Sequence, residues 1–169
     1  MAFFYGVHIQ EPELASALSL IRFLGEPDFF RPTHITIRGP YTRKIDETIE
    51  DIEKKFGAKK RFVELVGIGT FFEGNQNTVF LTCVIPDVEE IWKKPDYQGV
   101  KPHLTLYDGK SRHFAYKLKA ALEKFSWHIK AEVSNLRRIE SKQKPTEYLD
   151  IYFEVFSPCA RAPSCRWFG

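Results

Sequence analysis

The chain has 169 residues, a hydrophobic content of 43%, an aromatic content of 15% and a formal net charge of +3 at neutral pH. This length and composition are typical of one folded domain with a sizeable core, and they exclude a disordered class. The mild positive charge favours a local anionic ligand over binding along a nucleic-acid backbone, and three cysteines do not predict a disulfide framework.

From the sequence we predict neither a signal peptide nor a membrane helix. The first residues lack a basic region, and Glu11 and Glu13 interrupt any apolar core. No apolar run approaches the roughly 20 residues that a membrane helix requires. We therefore expect a cytoplasmic protein, monomeric and without a membrane partner.

Apolar periodicity predicts alternating strands and helices through the first half of the chain. Aromatic and β-branched residues indicate a strand over 3–9. Leucine, alanine and isoleucine at helical spacing predict a helix that begins at Pro12 and ends at Gly25. The next elements are a strand from Pro32 to Pro40, a helix over 46–56 and a hairpin of strands over 61–72 and 78–85.

The second half of the chain repeats this order approximately. Its elements are a short helix from Asp87, a strand over 102–108, a helix over 111–125 and two strands near 127–138 and 147–156. We therefore predict an α+β fold with two lobes related by a pseudo-twofold axis, with antiparallel sheets lining a central cleft and helices outside. The predicted domain covers 1–156, and 157–169 form a C-terminal tail.

One pattern occurs in both halves. The sequence Pro-Thr-His-Ile-Thr-Ile at 32–37 and the sequence Pro-His-Leu-Thr-Leu at 102–106 each place a His two residues before a Thr. Since side chains two apart in a strand share a face, each strand presents an imidazole beside a hydroxyl and buries its aliphatic residues. The spacing also fits two half-buried strands whose histidines simply bond to a neighbour.

With two His-x-Thr motifs in this strand order, the chain resembles the 2H phosphoesterase superfamily, which includes RNA 2′,3′-cyclic phosphodiesterases and 2′-5′ oligonucleotide phosphodiesterases. The likeness extends from Phe3 to about Phe156, and Gly67-Ile68-Gly69-Thr70-Phe71 looks like the family's central hairpin. The resemblance implies a two-lobed fold and a phosphodiesterase acting on ribose 2′-phosphodiesters. The catalytic residues that it implies are His34, His103, Thr36 and Thr105.

The chemistry of these residue types agrees with that implication. Histidine is the side chain that can serve as acid or base near neutral pH, and threonine hydroxyls can donate to phosphate oxygens. A metal site would need further ligands, and no His-x-x-x-His or Cys-x-x-Cys pattern occurs. We therefore expect no metal and no cofactor, and a nucleotide or RNA oligonucleotide as substrate. Which His is the base stays open.

Other residues near the motifs are candidates for substrate binding. Arg38 and Tyr107 occupy equivalent places after the two motifs, and Tyr41 and Lys101 lie in flanking loops. Aromatic side chains that could stack a base are Tyr5 and Phe71, although core packing is their commoner fate. Among the other histidines, His8 could border the cleft or be structural, His113 is predicted to be exposed on a helix and His128 to be an ordinary strand residue.

Two other functions stay open at this point. One is a module of the same fold that binds RNA ends with little turnover. The other is an RNA-joining enzyme that runs the same step in reverse, which mass action in water disfavours. No Gly-rich loop able to cradle the phosphates of ATP is present in the sequence.

Overall fold

Seven strands and three α-helices form the part of the chain that the computed structural model describes, namely residues 3–27, 32–41, 49–56, 61–92 and 100–140. The strands are β1 (Phe3–Val7), β2 (Ile35–Tyr41), β3 (Arg61–Phe71), β4 (Thr78–Val84), β5 (His103–Asp108), β6 (Ile129–Val133) and β7 (Arg137–Glu140). The helices are α1 (Pro12–Gly25), α2 (Ile49–Phe56) and α3 (Arg112–Leu122), and a short 3-10 helix covers Val88–Glu90. The predicted α+β class is confirmed.

The described strands form one antiparallel sheet in the order β6-β3-β4-β5-β2-β1-β7. The two His-Thr strands are neighbours in this sheet, because Ile35 of β2 is paired with Leu104 of β5. They therefore lie side by side within one sheet, whereas the sequence predicted two lobes whose antiparallel sheets line a central cleft. Within the described ranges, none of the helices is long and apolar enough to cross a membrane.

The strand order is symmetric about the boundary between β2 and β5, apart from β6 at one edge. On its outer side each His-Thr strand pairs with one further strand, β2 with β1 and β5 with β4. Strands of the second half pair with strands of the first half, β5 with β4, β6 with β3 and β7 with β1. The two halves of the chain are thus interlocked by an exchange of strands.

The hydrophobic core covers one face of this sheet. Residues on that face with 0% exposure are Val7, Ile35, Val79, Leu81 and Leu104. Helices α1 and α3 pack against the sheet at β5 and β4, and Leu18 and Ala115 join the same cluster. Burial of these aliphatic side chains supplies the main driving force for folding and leaves the opposite face of the central strands for other uses.

The structure corrects two predicted boundaries. Helix α3 ends at Leu122 and not at Phe125, whose side chain is 67% exposed and so offers no burial to extend the helix. The predicted strand over 127–138 is two strands, β6 and β7, that pair with different parts of the sheet. Ser134 separates them, because its N–H donates to the carbonyl of His8 at 2.8 Å and directs the chain toward β1.

Three predicted segments fall wholly or partly outside the described residues. Helix α2 is described from Ile49, so the predicted start over 46–48 lies outside those ranges. The predicted strand over 147–156 and the tail over 157–169 also lie outside them.

Candidate active site

Strand pairing brings the repeated motifs together on the sheet face opposite the core. Ile35 and Leu104 form the pair that joins the two strands, and both are fully buried. Extended by one residue in each direction, this antiparallel register would set each His across from the Thr of the other strand. The four residues are half-buried, and we call them the His-Thr patch: His34, Thr36, His103 and Thr105.

The two histidines make the same kind of hydrogen bond, each to the backbone carbonyl two residues earlier. Nδ1 of His34 lies 3.0 Å from the carbonyl oxygen of Pro32, and Nδ1 of His103 lies 2.9 Å from that of Lys101. Because a carbonyl oxygen can only accept, each Nδ1 carries a hydrogen and donates it. In the neutral ring Nε2 is then the basic nitrogen, so Nε2 is the atom of each His that can take up a proton.

Aromatic rings from the adjacent strands flank both imidazoles. Phe4 of β1 stacks on His34 with ring centroids 5.0 Å apart and an interplanar angle of 29°. The ring of His103 lies 4.9 Å from that of Phe80 and 5.5 Å from that of Phe71. The sequence pointed to Phe71, whereas Phe4 and Phe80 were missed because their positions depend on which strands are neighbours.

A β-bulge in each His-Thr strand turns two candidate residues away from the patch. The pairing register slips by one residue at Ile37 in β2 and at Leu106 in β5. Strict alternation would place Arg38 and Tyr107 on the patch face, but each slip moves them to the core face. Arg38 is 4% exposed and Tyr107 is 2% exposed, so neither is placed to contact a substrate at the patch.

The other candidate substrate contacts are not gathered at the patch. Tyr5 is buried on the core face, where it is paired with Arg38. Nε of Arg38 donates to the phenolic oxygen of Tyr41 at 3.3 Å, so Tyr41 belongs to the same cluster as Tyr5 and Arg38. Lys101 is exposed two residues before His103, and its backbone carbonyl orients that ring. Only Phe71 of the predicted aromatic contacts is therefore beside a catalytic candidate.

A third histidine, His8, packs beside His34 with ring centroids 6.1 Å apart. Its Nδ1 donates to the carbonyl of Thr33 at 3.1 Å, and its backbone N–H donates to Oγ of Ser134 at 3.0 Å. Thr33 immediately precedes His34, so the ring of His8 holds the segment that carries this member of the patch. These contacts combine the two roles that the sequence left open, since His8 is structural and also adjoins the site.

Acidification is expected to destabilise the protein through His8. Burial lowers the pKa of His8 from 6.5 to about 4, while the hydrogen bond to Thr33 opposes the shift and the charge of Arg137 adds to it. Between these two values the unfolded chain binds more protons than the folded protein. The free energy of unfolding should therefore fall as the pH drops from 6.5 toward 4, by up to about 3 kcal/mol from this group.

Urea denaturation at pH 7 and pH 4.5 measures this loss of unfolding free energy in the wild type, His8→Asn and His113→Asn. His8→Asn can still donate to Thr33 but cannot be protonated, so the difference between the two pH values should be smaller than in the wild type. His113→Asn is the matched control, because His113 is exposed. An unchanged pH dependence in His8→Asn would contradict the assignment.

The remaining titratable residues do not add a metal site. No group of three or more His, Cys, Asp and Glu side chains able to hold a metal ion occurs among the described residues. His113 and His128 are exposed, and Cys83 is buried, which raises the pKa of its thiol to about 12. Cys83 is therefore the core residue that its strand position predicted.

No family model matches the chain, and no curated protein matches it in sequence. What the site can do therefore follows from the geometry of the His-Thr patch.

Proposed function

We propose that the protein is a phosphodiesterase of the 2H type that acts without a metal ion on ribose 2′-phosphodiesters. Its substrates are 2′,3′-cyclic phosphate ends or 2′-5′ linked and cyclic oligonucleotides. The observation that carries the proposal is the equivalence of the two histidines. Each donates from Nδ1 to the carbonyl two residues earlier, and each lies across from the threonine of the other strand. The two-lobed arrangement is part of the proposal, with the lobes meeting at the pair of Ile35 and Leu104.

In this reaction one histidine is the base and the other is the acid. With a cyclic phosphate, Nε2 of the base takes a proton from water while the water oxygen bonds to phosphorus. Nε2 of the other, protonated histidine gives its proton to the ribose oxygen whose bond to phosphorus breaks. With a 2′-5′ linkage, the neighbouring 3′-hydroxyl gives its proton to the base and bonds to phosphorus. The bond from phosphorus to the 5′-oxygen of the next nucleotide breaks, the acid protonates that oxygen, and a 2′,3′-cyclic end remains.

The separation of the two histidines suits proton transfer on both sides of one phosphate. In regular antiparallel pairing, residues on the diagonal lie about 7–8 Å apart, and His34 and His103 occupy such a diagonal. A phosphate between them can therefore receive a hydrogen bond from either side. The hydroxyls of Thr36 and Thr105 complete the other diagonal, where they can donate to the non-bridging oxygens as negative charge develops in the transition state.

The proposal is tested by hydrolysis of a substrate panel in the presence of EDTA. The panel contains 2′,3′-cyclic mononucleotides, 2′-5′ and 3′-5′ linked oligoadenylates and cyclic dinucleotides. We expect turnover of at least one 2′-phosphodiester at the same rate with and without EDTA, and none of the 3′-5′ linear oligomer. Loss of all turnover in EDTA would refute the metal-independent mechanism. Binding of RNA ends without turnover of any member would identify a binding module instead.

A further inference from the structure

Among the described residues, the sheet face that carries the His-Thr patch has open space above Gly67, two strands away from His103. Thr82 of β4 lies across from His103, and Gly67 of β3 lies across from Thr82, so the three form a row across the sheet. No described heavy atom outside the adjacent chain lies within 4 Å of the point where a Cβ on Gly67 would sit. The nearby Gly69, in contrast, is covered by the ring of Phe80. We call the open space with this floor the Gly67 trough.

A pocket of about 240 Å³ lies further along β3 and β4, beyond Gly67 and Thr82. Its wall includes Val84, which follows Thr82 by two residues on β4 and so points to the same side. Val84 is 49% exposed, and the aromatic ring of Phe62, also in the wall, is 39% exposed. The charged side chains that line the pocket are Arg61, Glu64, Asp87 and Lys130.

These groups are those that bind a nucleotide with an unpaired base. An exposed aromatic ring such as Phe62 offers a stacking surface for any base. The ammonium of Lys130 lies over that ring, 5.2 Å from its centre, so an incoming base would take its place on the ring and leave the ammonium beside it to pair with a phosphate. The carboxylate of Glu64 can accept a hydrogen bond from an exocyclic amino group. The volume lies below the roughly 300–1,000 Å³ of sites for drug-sized ligands and suits one base.

The distance between the patch and the pocket decides whether a base in the pocket can belong to the nucleotide whose phosphate lies at the patch. From His103 to Gly67 the row crosses two strand spacings, about 10 Å, and Phe62 in the far wall lies about 15 Å from Gly67 along β3. A mononucleotide with its phosphate between the two histidines does not extend to the far wall of the pocket. A base there belongs to a second nucleotide.

We propose that the Gly67 trough and its pocket form a second nucleotide subsite, and that the substrate is therefore an oligonucleotide in preference to a cyclic mononucleotide. This inference rests on the proposed phosphodiesterase function. It narrows the substrate class from ribose 2′-phosphodiesters in general to oligonucleotides. Chain entering from the patch crosses Gly67, and the next base stacks on Phe62 with Lys130 beside it.

Two variants test the subsite. Phe62→Ala removes the stacking surface, and Gly67→Val fills the trough at a position where the described structure leaves room for a side chain. The readout is the ratio of kcat/KM for a trinucleotide ending in a 2′,3′-cyclic phosphate to kcat/KM for a 2′,3′-cyclic mononucleotide. We expect this ratio to fall on the order of tenfold in each variant. Phe125→Ala is the control, since this phenylalanine is exposed beyond the end of α3, and the ratio should not change.

The outcomes separate this inference from the proposed function. If the wild type hydrolyses both substrates and neither variant changes the ratio, the subsite is refuted and the phosphodiesterase stands. If the wild type hydrolyses neither, the phosphodiesterase is refuted. The subsite is then judged by fluorescence anisotropy of a labelled trinucleotide, where weaker binding by Phe62→Ala and Gly67→Val supports it and equal affinity overturns it.

Discussion

Replacing His34 or His103 with glutamine is expected to lower kcat on the order of 10³-fold for whichever panel substrate the wild type cleaves, because general acid–base catalysis is worth about 10²- to 10⁴-fold. Glutamine keeps much of the size and polarity of the ring but cannot exchange a proton near neutral pH. The loss should be similar in the two variants, since both rings have the same hydrogen bond from Nδ1 and opposing threonines.

His113→Gln is the matched control for both substitutions, because His113 is exposed on α3 and should leave kcat within about twofold of the wild type. If kcat falls in only one of the His34 and His103 variants, the two histidines do not act as an acid–base pair. Urea denaturation of each variant separates lost chemistry from lost folding.

The pH dependence of the residual rate can then assign the two roles. A wild-type enzyme with one base and one acid gives a bell-shaped profile of kcat/KM. The variant that has lost the limb on which the rate rises with pH lacks the base, and the variant that has lost the falling limb lacks the acid. The sequence and the near-symmetric geometry leave this assignment to the experiment.

Replacing Thr36 or Thr105 with valine is expected to lower kcat by about 10²-fold while KM changes little. In the proposed mechanism the hydroxyl donates to oxygens whose negative charge grows in the transition state, and loss of one such donor typically costs about 10²- to 10³-fold. Valine keeps the branched shape that suits a strand, so the fold should be retained. Serine at either position should restore most of the activity because it restores the donor.

Thr70→Val provides the control for these variants. Thr70 lies on β3 across from the buried Val79, on the core face of the sheet, so its hydroxyl cannot reach a phosphate at the patch. A valine at 36 or 105 with wild-type kcat would mean that the threonines do not hold the phosphate, even if the two histidines prove essential.

Much of the fold could be read from local spacing. The bounds of α1, from Pro12 to Gly25, follow from a proline suited to the first turn and from apolar residues at helical intervals. The burial of Ile35 and Leu104 follows from alternation within each motif. These features depend on residues a few positions apart, and such residues keep the same geometry in any fold that contains the element.

The candidate site was less completely predictable. The bulges at Ile37 and Leu106 arise from the match between each strand and its partner, and a single strand carries no sign of them. They moved Arg38 and Tyr107 to the core face. The packing of Phe80 on His103 and of His8 on His34 likewise depends on which strands are neighbours.

The sequence by itself determined which residues carry reactive groups and that each His shares a strand face with a Thr, because side chains alternate along any extended strand. The tertiary structure decided that the two motifs lie side by side, through the pair of Ile35 and Leu104, and that the described residues leave space above Gly67 in the same row across the sheet as His103. These are consequences of strand order and register, which are set by burial of the whole core and not by any local run of residues.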